Sequence, residues 1–152
     1  MIGFPQRLRL GFVAAVISVL LFHQGAWAIL HQMDVPQLGM PNPFPVDRVP
    51  PFGIPRIISL CFWGGLWGAA FGTAWRGSKG SYLFGGFWLG VIAVLVSFFV
   101  VAPLKGLPIA GGGDLLNWIR ALLINCSWGV GVAIVLPVLL GEAEMKREAT
   151  VT

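Results

Sequence analysis

Acidic side chains are few in this chain, and none falls inside its apolar stretches. Asp34, Asp47, Asp114, Glu142, Glu144 and Glu148 all lie between those stretches or beyond them. Charged residues make up 11% of the 152, well below the ~25% of an ordinary soluble domain, and 57% are hydrophobic. The shortage excludes a carboxylate proton relay within the apolar runs and argues against a water-soluble globule. Cysteine is nearly missing too. Cys61 and Cys126 both sit inside apolar runs, which rules out a disulfide framework and reads as two small packed residues. No Ser-His-Asp set, HExxH, P-loop or GxGxxG pattern is present, so no catalytic residue is assigned and no enzyme is expected.

Four apolar runs are present, roughly 8–30, 57–75, 82–101 and 116–140. Each approaches the ~20 residues a helix needs to cross the ~30 Å hydrocarbon layer. They are too long and too evenly apolar for β-barrel strands. The expectation is an all-α membrane protein, residues 1–152 forming one domain of four transmembrane helices. The net charge of +4 is scattered at the ends of the runs, so it marks orientation and not nucleic acid. With both termini in the cytoplasm, Arg7, Arg9, Arg76, Lys79, Lys146 and Arg147 face inward and Arg48, Arg56, Lys105 and Arg120 outward, the bias that the positive-inside rule asks for. An alternative reading makes the first run a secretory leader, with Ala26-Trp27-Ala28 as its cleavage triplet.

The loop 31–55 holds seven prolines, at 36, 41, 43, 45, 50, 51 and 55. It is expected to run extended, as a strap over the outer face, laying Val35, Leu38, Met40, Phe44, Val46 and Phe52 on the mouth of the bundle. The short turn 76–81 makes spans two and three antiparallel neighbours. The second outer loop, 102–117, is expected to be loosest at Gly111-Gly112-Gly113. Two short patterns recur. Pro36-Gln-Leu-Gly-Met-Pro41 matches Pro103-Leu-Lys-Gly-Leu-Pro108, and Cys61-Phe-Trp-Gly64 matches Cys126-Ser-Trp-Gly129, with Arg56 and Arg120 at corresponding places before the second pair. They suggest two duplicated helical hairpins.

Glycine number is high, at 21. Gly64, Gly68 and Gly72 share one face of span two, Gly86 and Gly90 one face of span three, and Gly129 lies in span four. Such faces let helix backbones approach closely. They serve either packing within the bundle or contact with a second copy, the former being preferred.

The polar residues at depth are the candidates for function. Gln24 and His31 share a stripe of the first span, with Trp27 between them, and His23 points about 100° away. Asn125 and Ser127 in span four, and Ser59 and Cys61 in span two, enter at a similar level. His23, Gln24, His31, Asn125 and Ser127 are therefore expected to form a polar layer below the strap, serving as ligand site, path or partner contact. Both histidines lie on one helix, which a bis-histidine haem site in a single chain does not allow, and no spacing matches a metal-ligand pattern. No cofactor or metal is expected.

Phe22-His-Gln24, Ser59-Leu-Cys-Phe-Trp-Gly-Gly-Leu-Trp-Gly68, Val101-Ala-Pro-Leu-Lys-Gly-Leu-Pro108, Leu123-Ile-Asn125 and Trp128-Gly129 together resemble a family of small, four-span bacterial inner-membrane proteins of uncharacterised role. The resemblance runs from about residue 8 to residue 140. It implies a multi-pass protein of the bacterial inner membrane and carries over no catalytic residue or substrate. The expected role is a structural or accessory subunit, in contact with lipid and with other membrane subunits or itself. A small oligomeric transporter or channel, and a haem- or quinone-binding electron-transfer subunit, are the alternatives.

Overall fold

Proline and glycine punctuate the apolar runs, and the helices begin and end at that punctuation. The computed structural model describes residues 2–33, 38–76 and 79–151, and of these all side chains but those of 79–80, 146–148 and 150–151. Asp34, Val35 and Pro36 of the expected strap, Gly77 and Ser78 of the turn, and the side chains of Lys146 and Arg147 lie outside the described set.

Helix α1 (Phe4–Ser18) opens with Pro5 in its first turn, where the missing N–H costs nothing and the fixed φ already suits a helix. A π turn, Val19–His23, joins it to α2 (Gln24–Gln32), and the three pieces form one apolar rod, Phe4–Gln32. Helix α3 (Arg56–Ala74) starts directly after Pro55. Helix α4 (Lys79–Val96) runs through a second π turn, Ser97–Val101, into the short α5 (Ala102–Leu104). Helix α6 (Leu115–Val151) is 37 residues long, roughly 55 Å at 1.5 Å per residue. It therefore outruns a bilayer core, and its charged end, with Glu142 and Glu144, continues as helix beyond the apolar part. The chain is 80% helical, and four of its helices are long and apolar enough to cross a membrane. This is the all-α, four-span architecture the sequence implies.

Small residues decide which helices touch. On α1, Gly11 and Ala15 lie against Gly68, Ala69 and Gly72 of α3, so closely that a Cβ at Gly11 or Gly68 would overlap the other's carbonyl. On α4, Gly86 and Gly90 meet Asn125, Cys126, Gly129 and Ala133 of α6 in the same way. The two pairs join where α1 packs on α6. Val19, Trp128, Val132 and Leu136 are buried there, and Trp128 Nε1 donates to Ala15 O at 3.2 Å. The neighbour order is thus α3–α1–α6–α4.

This order corrects one expectation. The second and third spans do not pack along their lengths. They meet through Phe71, Trp75, Tyr82 and Gly85 at the end where the turn lies. The physical reason is that the small-residue faces of α3 and α4 point at α1 and α6. Among the named glycines, Gly64, Gly68, Gly72, Gly86, Gly90 and Gly129 each have a neighbouring residue of this same chain where a Cβ would go. They are thus engaged within the bundle, and a second copy does not find them free. At this end Arg7 closes the C-terminus of α3. Its Nε donates to Gly72 O at 2.8 Å and its Nη2 to Trp75 O at 2.6 Å and to the Tyr82 hydroxyl at 3.0 Å, a cation on the carbonyl end of a helix.

Candidate functional site

At the opposite end the proline-rich segment lies over the bundle, held by a row of side chains from the first span. Gln24, Trp27 and His31 fall on one stripe of α2 because successive steps of three and four residues return to the same face. Each grips the backbone of the strap. Gln24 Oε1 accepts the Phe44 N–H at 2.6 Å, Trp27 Nε1 donates to Pro41 O at 2.8 Å, and His31 Nδ1 donates to Met40 O at 2.8 Å. As the helix number rises from 24 to 31, the strap number falls from 44 to 40, so the strap runs antiparallel to the helix.

The deepest of these contacts is the most constrained. Gln24 is fully buried, and the residue it holds, Phe44, has φ of +54°. A bulky side chain rarely adopts that backbone region. A buried acceptor aimed at the Phe44 N–H is the kind of local determinant that lets such a conformation persist. The other end of the Gln24 amide is also used. Its Nε2 lies 3.3 Å from His23 Nδ1, and since Nε2 donates, the histidine proton sits on His23 Nε2. His23 is buried as well, its ring centroid 5.9 Å from that of Trp27. Sequence periodicity set His23 aside from the Gln24/His31 stripe, and the structure keeps it beside Gln24, with no hydrogen bond to the strap among the described residues.

The rest of the strap is tied to α3. Arg56 and Asp47 form an ion pair, with Arg56 Nε 2.9 Å from one carboxylate oxygen. The hydrogen bond from Arg56, followed by its charge, holds the Asp47 carboxyl below its ordinary value of 3.8. Backbone bonds from Arg56 N to Asp47 O and from Ile57 N to Pro45 O extend the seam. A two-residue hairpin pairs Arg48 with Pro55 and Val49 with Ile54, so this half of the strap is not wholly extended. The tip projects, and Phe52 is 84% exposed.

Among the described residues, Asn125 and Ser127 make no hydrogen bond to this cluster. Asn125 Nδ2 donates to Ala121 O of its own helix at 2.9 Å. Ser127 Oγ donates to Phe22 O, within the π turn, at 3.3 Å. The expected polar layer is thus two separate things: a clamp of Gln24, Trp27 and His31 on the strap, and local bonds that tie α6 to itself and to the first span. A polar side chain in an apolar interior takes the nearest open carbonyl, and a common depth does not say which carbonyl that is.

Arg120 was not counted among the candidate layer residues, although the sequence puts it near the same depth. It reaches the strap from α6, Nη1 donating to Leu38 O at 2.9 Å, while Nη2 donates to Asn117 Oδ1 at 2.6 Å. Its sequence signals were a charge at the mouth of an apolar run and a place matching that of Arg56 before the repeated motif. Among the described residues no group of three or more His, Cys, Asp or Glu is placed to hold a metal ion. Comparison with protein-family models, with curated proteins and with solved structures found no match.

Proposed function

We propose that this chain is a non-catalytic, multi-pass protein of the bacterial inner membrane, with both termini in the cytoplasm, acting as a structural or accessory subunit of a larger or homo-oligomeric membrane complex. The observation that carries the reading is the clamp. Gln24, Trp27 and His31, which share one stripe at the strap end of the first span, spend hydrogen bonds on the backbone of the strap. Two of the strap's apolar side chains are left outward, Val46 73% and Phe52 84% exposed, while Leu38 and Met40 are half-buried. Fixing a segment's backbone while presenting its apolar side chains lowers the entropy a partner must remove on docking. The partners are membrane lipid around the bundle and a membrane subunit, or a second copy, at the strap.

The test is purification from native membranes in mild detergent, with particle size and absorption spectrum recorded. The reading expects a particle larger than one chain, reduced in size by Gln24→Leu, and no pigment. A monodisperse single chain would contradict it. A Soret band abolished by His23→Ala would replace it with electron transfer, and proteoliposome flux abolished by Gln24→Ala would replace it with transport.

A further inference from the structure

Arg56 and Arg120 occupy corresponding places in the two hairpins, and their surroundings differ in one respect. Arg56 has a carboxylate, Asp47. Arg120 has none among the described residues, since Asp47 is engaged by Arg56 and Asp114 Oδ1 accepts the Leu116 N–H. Beside Arg120 is an open pocket of about 310 Å³, whose lining includes Phe98, Ala102, Gly111, Asn117, Arg120 and Ala121. That volume falls at the lower end of small-molecule sites, roughly 300–1,000 Å³.

The cavity is a built feature. Ala110, Gly111, Gly112 and Gly113 have φ of 55°, 62°, 71° and 71°, curling the second loop back over the start of α6. Asn117 Nδ2 holds Gly111 O at 3.1 Å and Trp118 Nε1 holds Ala110 O at 2.9 Å. A Cβ at Gly111 would come within 3.0 Å of the Phe98 ring. The guanidinium is itself oriented by Leu38 O and Asn117 Oδ1. Of its five N–H donors, the Nε–H and the second hydrogens of Nη1 and Nη2 have no partner among the described residues. A half-buried cation at the end of a membrane span is costly without an anion, and apolar walls beside it suit a chain of methylenes.

We propose that this cavity binds an anionic phospholipid, its phosphate on the free edge of Arg120 and its glycerol-proximal acyl segment against Phe98 and Ala102. The site goes beyond the subunit role and shares with it only the placement of the chain in a membrane. The lipid phosphate takes the position that the Asp47 carboxylate takes at Arg56. Charge-assisted bonds from guanidinium to phosphate, like those to carboxylate, are roughly twice as strong as neutral ones.

The experiment uses the full chain, stripped of lipid in a neutral maltoside and titrated with phosphatidylglycerol or phosphatidylcholine, the bound lipid being counted by native mass spectrometry. Phosphatidylglycerol is expected to bind more tightly, with the preference reduced about tenfold or more in Arg120→Gln and retained in Arg56→Gln. Ala121→Phe fills the cavity and leaves the guanidinium in place, so it separates loss of the site from loss of the strap anchor. It too is expected to lose the lipid. Equal binding of the two lipids, or undiminished phosphatidylglycerol binding in both Arg120→Gln and Ala121→Phe, would overturn the proposal. Binding of inorganic phosphate that excludes the lipid would overturn the lipid as occupant.

Discussion

Glycines that look alike in the sequence differ in what surrounds them, and the difference is measurable. A Cβ at Gly68 would strike the Gly11 carbonyl and the Ala15 methyl, and one at Gly129 the Gly86 carbonyl, whereas nothing lies within 4 Å of the position at Gly25. Gly68→Leu and Gly129→Val are expected to destabilise by at least the ~1–3 kcal/mol of an overpacked core, while Gly25→Ala is expected to be neutral or to stabilise by about 0.5–1 kcal/mol. Unfolding in mixed micelles, followed by tryptophan fluorescence, distinguishes them. Gln24→Leu removes the acceptor of the Phe44 N–H in a buried position, for a cost of about 1–3 kcal/mol. Its signature is faster proteolysis of the strap with the helices intact. The stripe of Gln24, Trp27 and His31 was legible from helical period alone. Its partner was not, because the strap offers backbone N–H and carbonyl groups, which every residue carries and no sequence pattern marks.

Among the elements, the strap's fastenings to α2 and to α3 are unlike. The hydrogen bonds to α2 involve no carboxylate, whereas the Asp47–Arg56 pair does. Because the folded Asp47 carboxyl titrates below its ordinary 3.8, the pair's contribution is fully present above pH 3.8 and is lost as the pH falls through the folded value. Asp47 is exposed, so the effect is small and local. Protease cutting near the hairpin is expected to be flat from neutral pH down to 3.8 and to rise below it, and Asp47→Asn is expected to remove that dependence. Helix boundaries near proline were readable in the sequence, as at Pro5 and Pro55. The π turns Val19–His23 and Ser97–Val101 were not, since no residue type in them marks a change of helical period. The carbonyl of Phe22 within the first π turn is what captures Ser127, a partner the sequence does not mark.

For the whole molecule, four spans and their approximate limits followed from apolar length, but the neighbour order did not. A short turn brings two helix ends together and leaves open which faces meet. Here the faces with small residues pair α1 with α3 and α4 with α6, and the halves join through α1 and α6. A chain divided within the turn 76–81 is therefore expected to reassemble when its halves are co-expressed, as read by co-purification. Trp128→Phe, which loses the bond to Ala15 O, is expected to weaken that association.

The central claim is that the clamped strap is a surface for a partner. It is tested most directly by placing a photo-cross-linking side chain at Phe52, at Val46 and, as a lipid-facing comparison, at Trp63, then illuminating native membranes. The account predicts a discrete protein adduct from Phe52 and Val46 that disappears in the Gln24→Leu background, with none from Trp63. No protein adduct from either strap position, in membranes where the chain is abundant and folded, would contradict it.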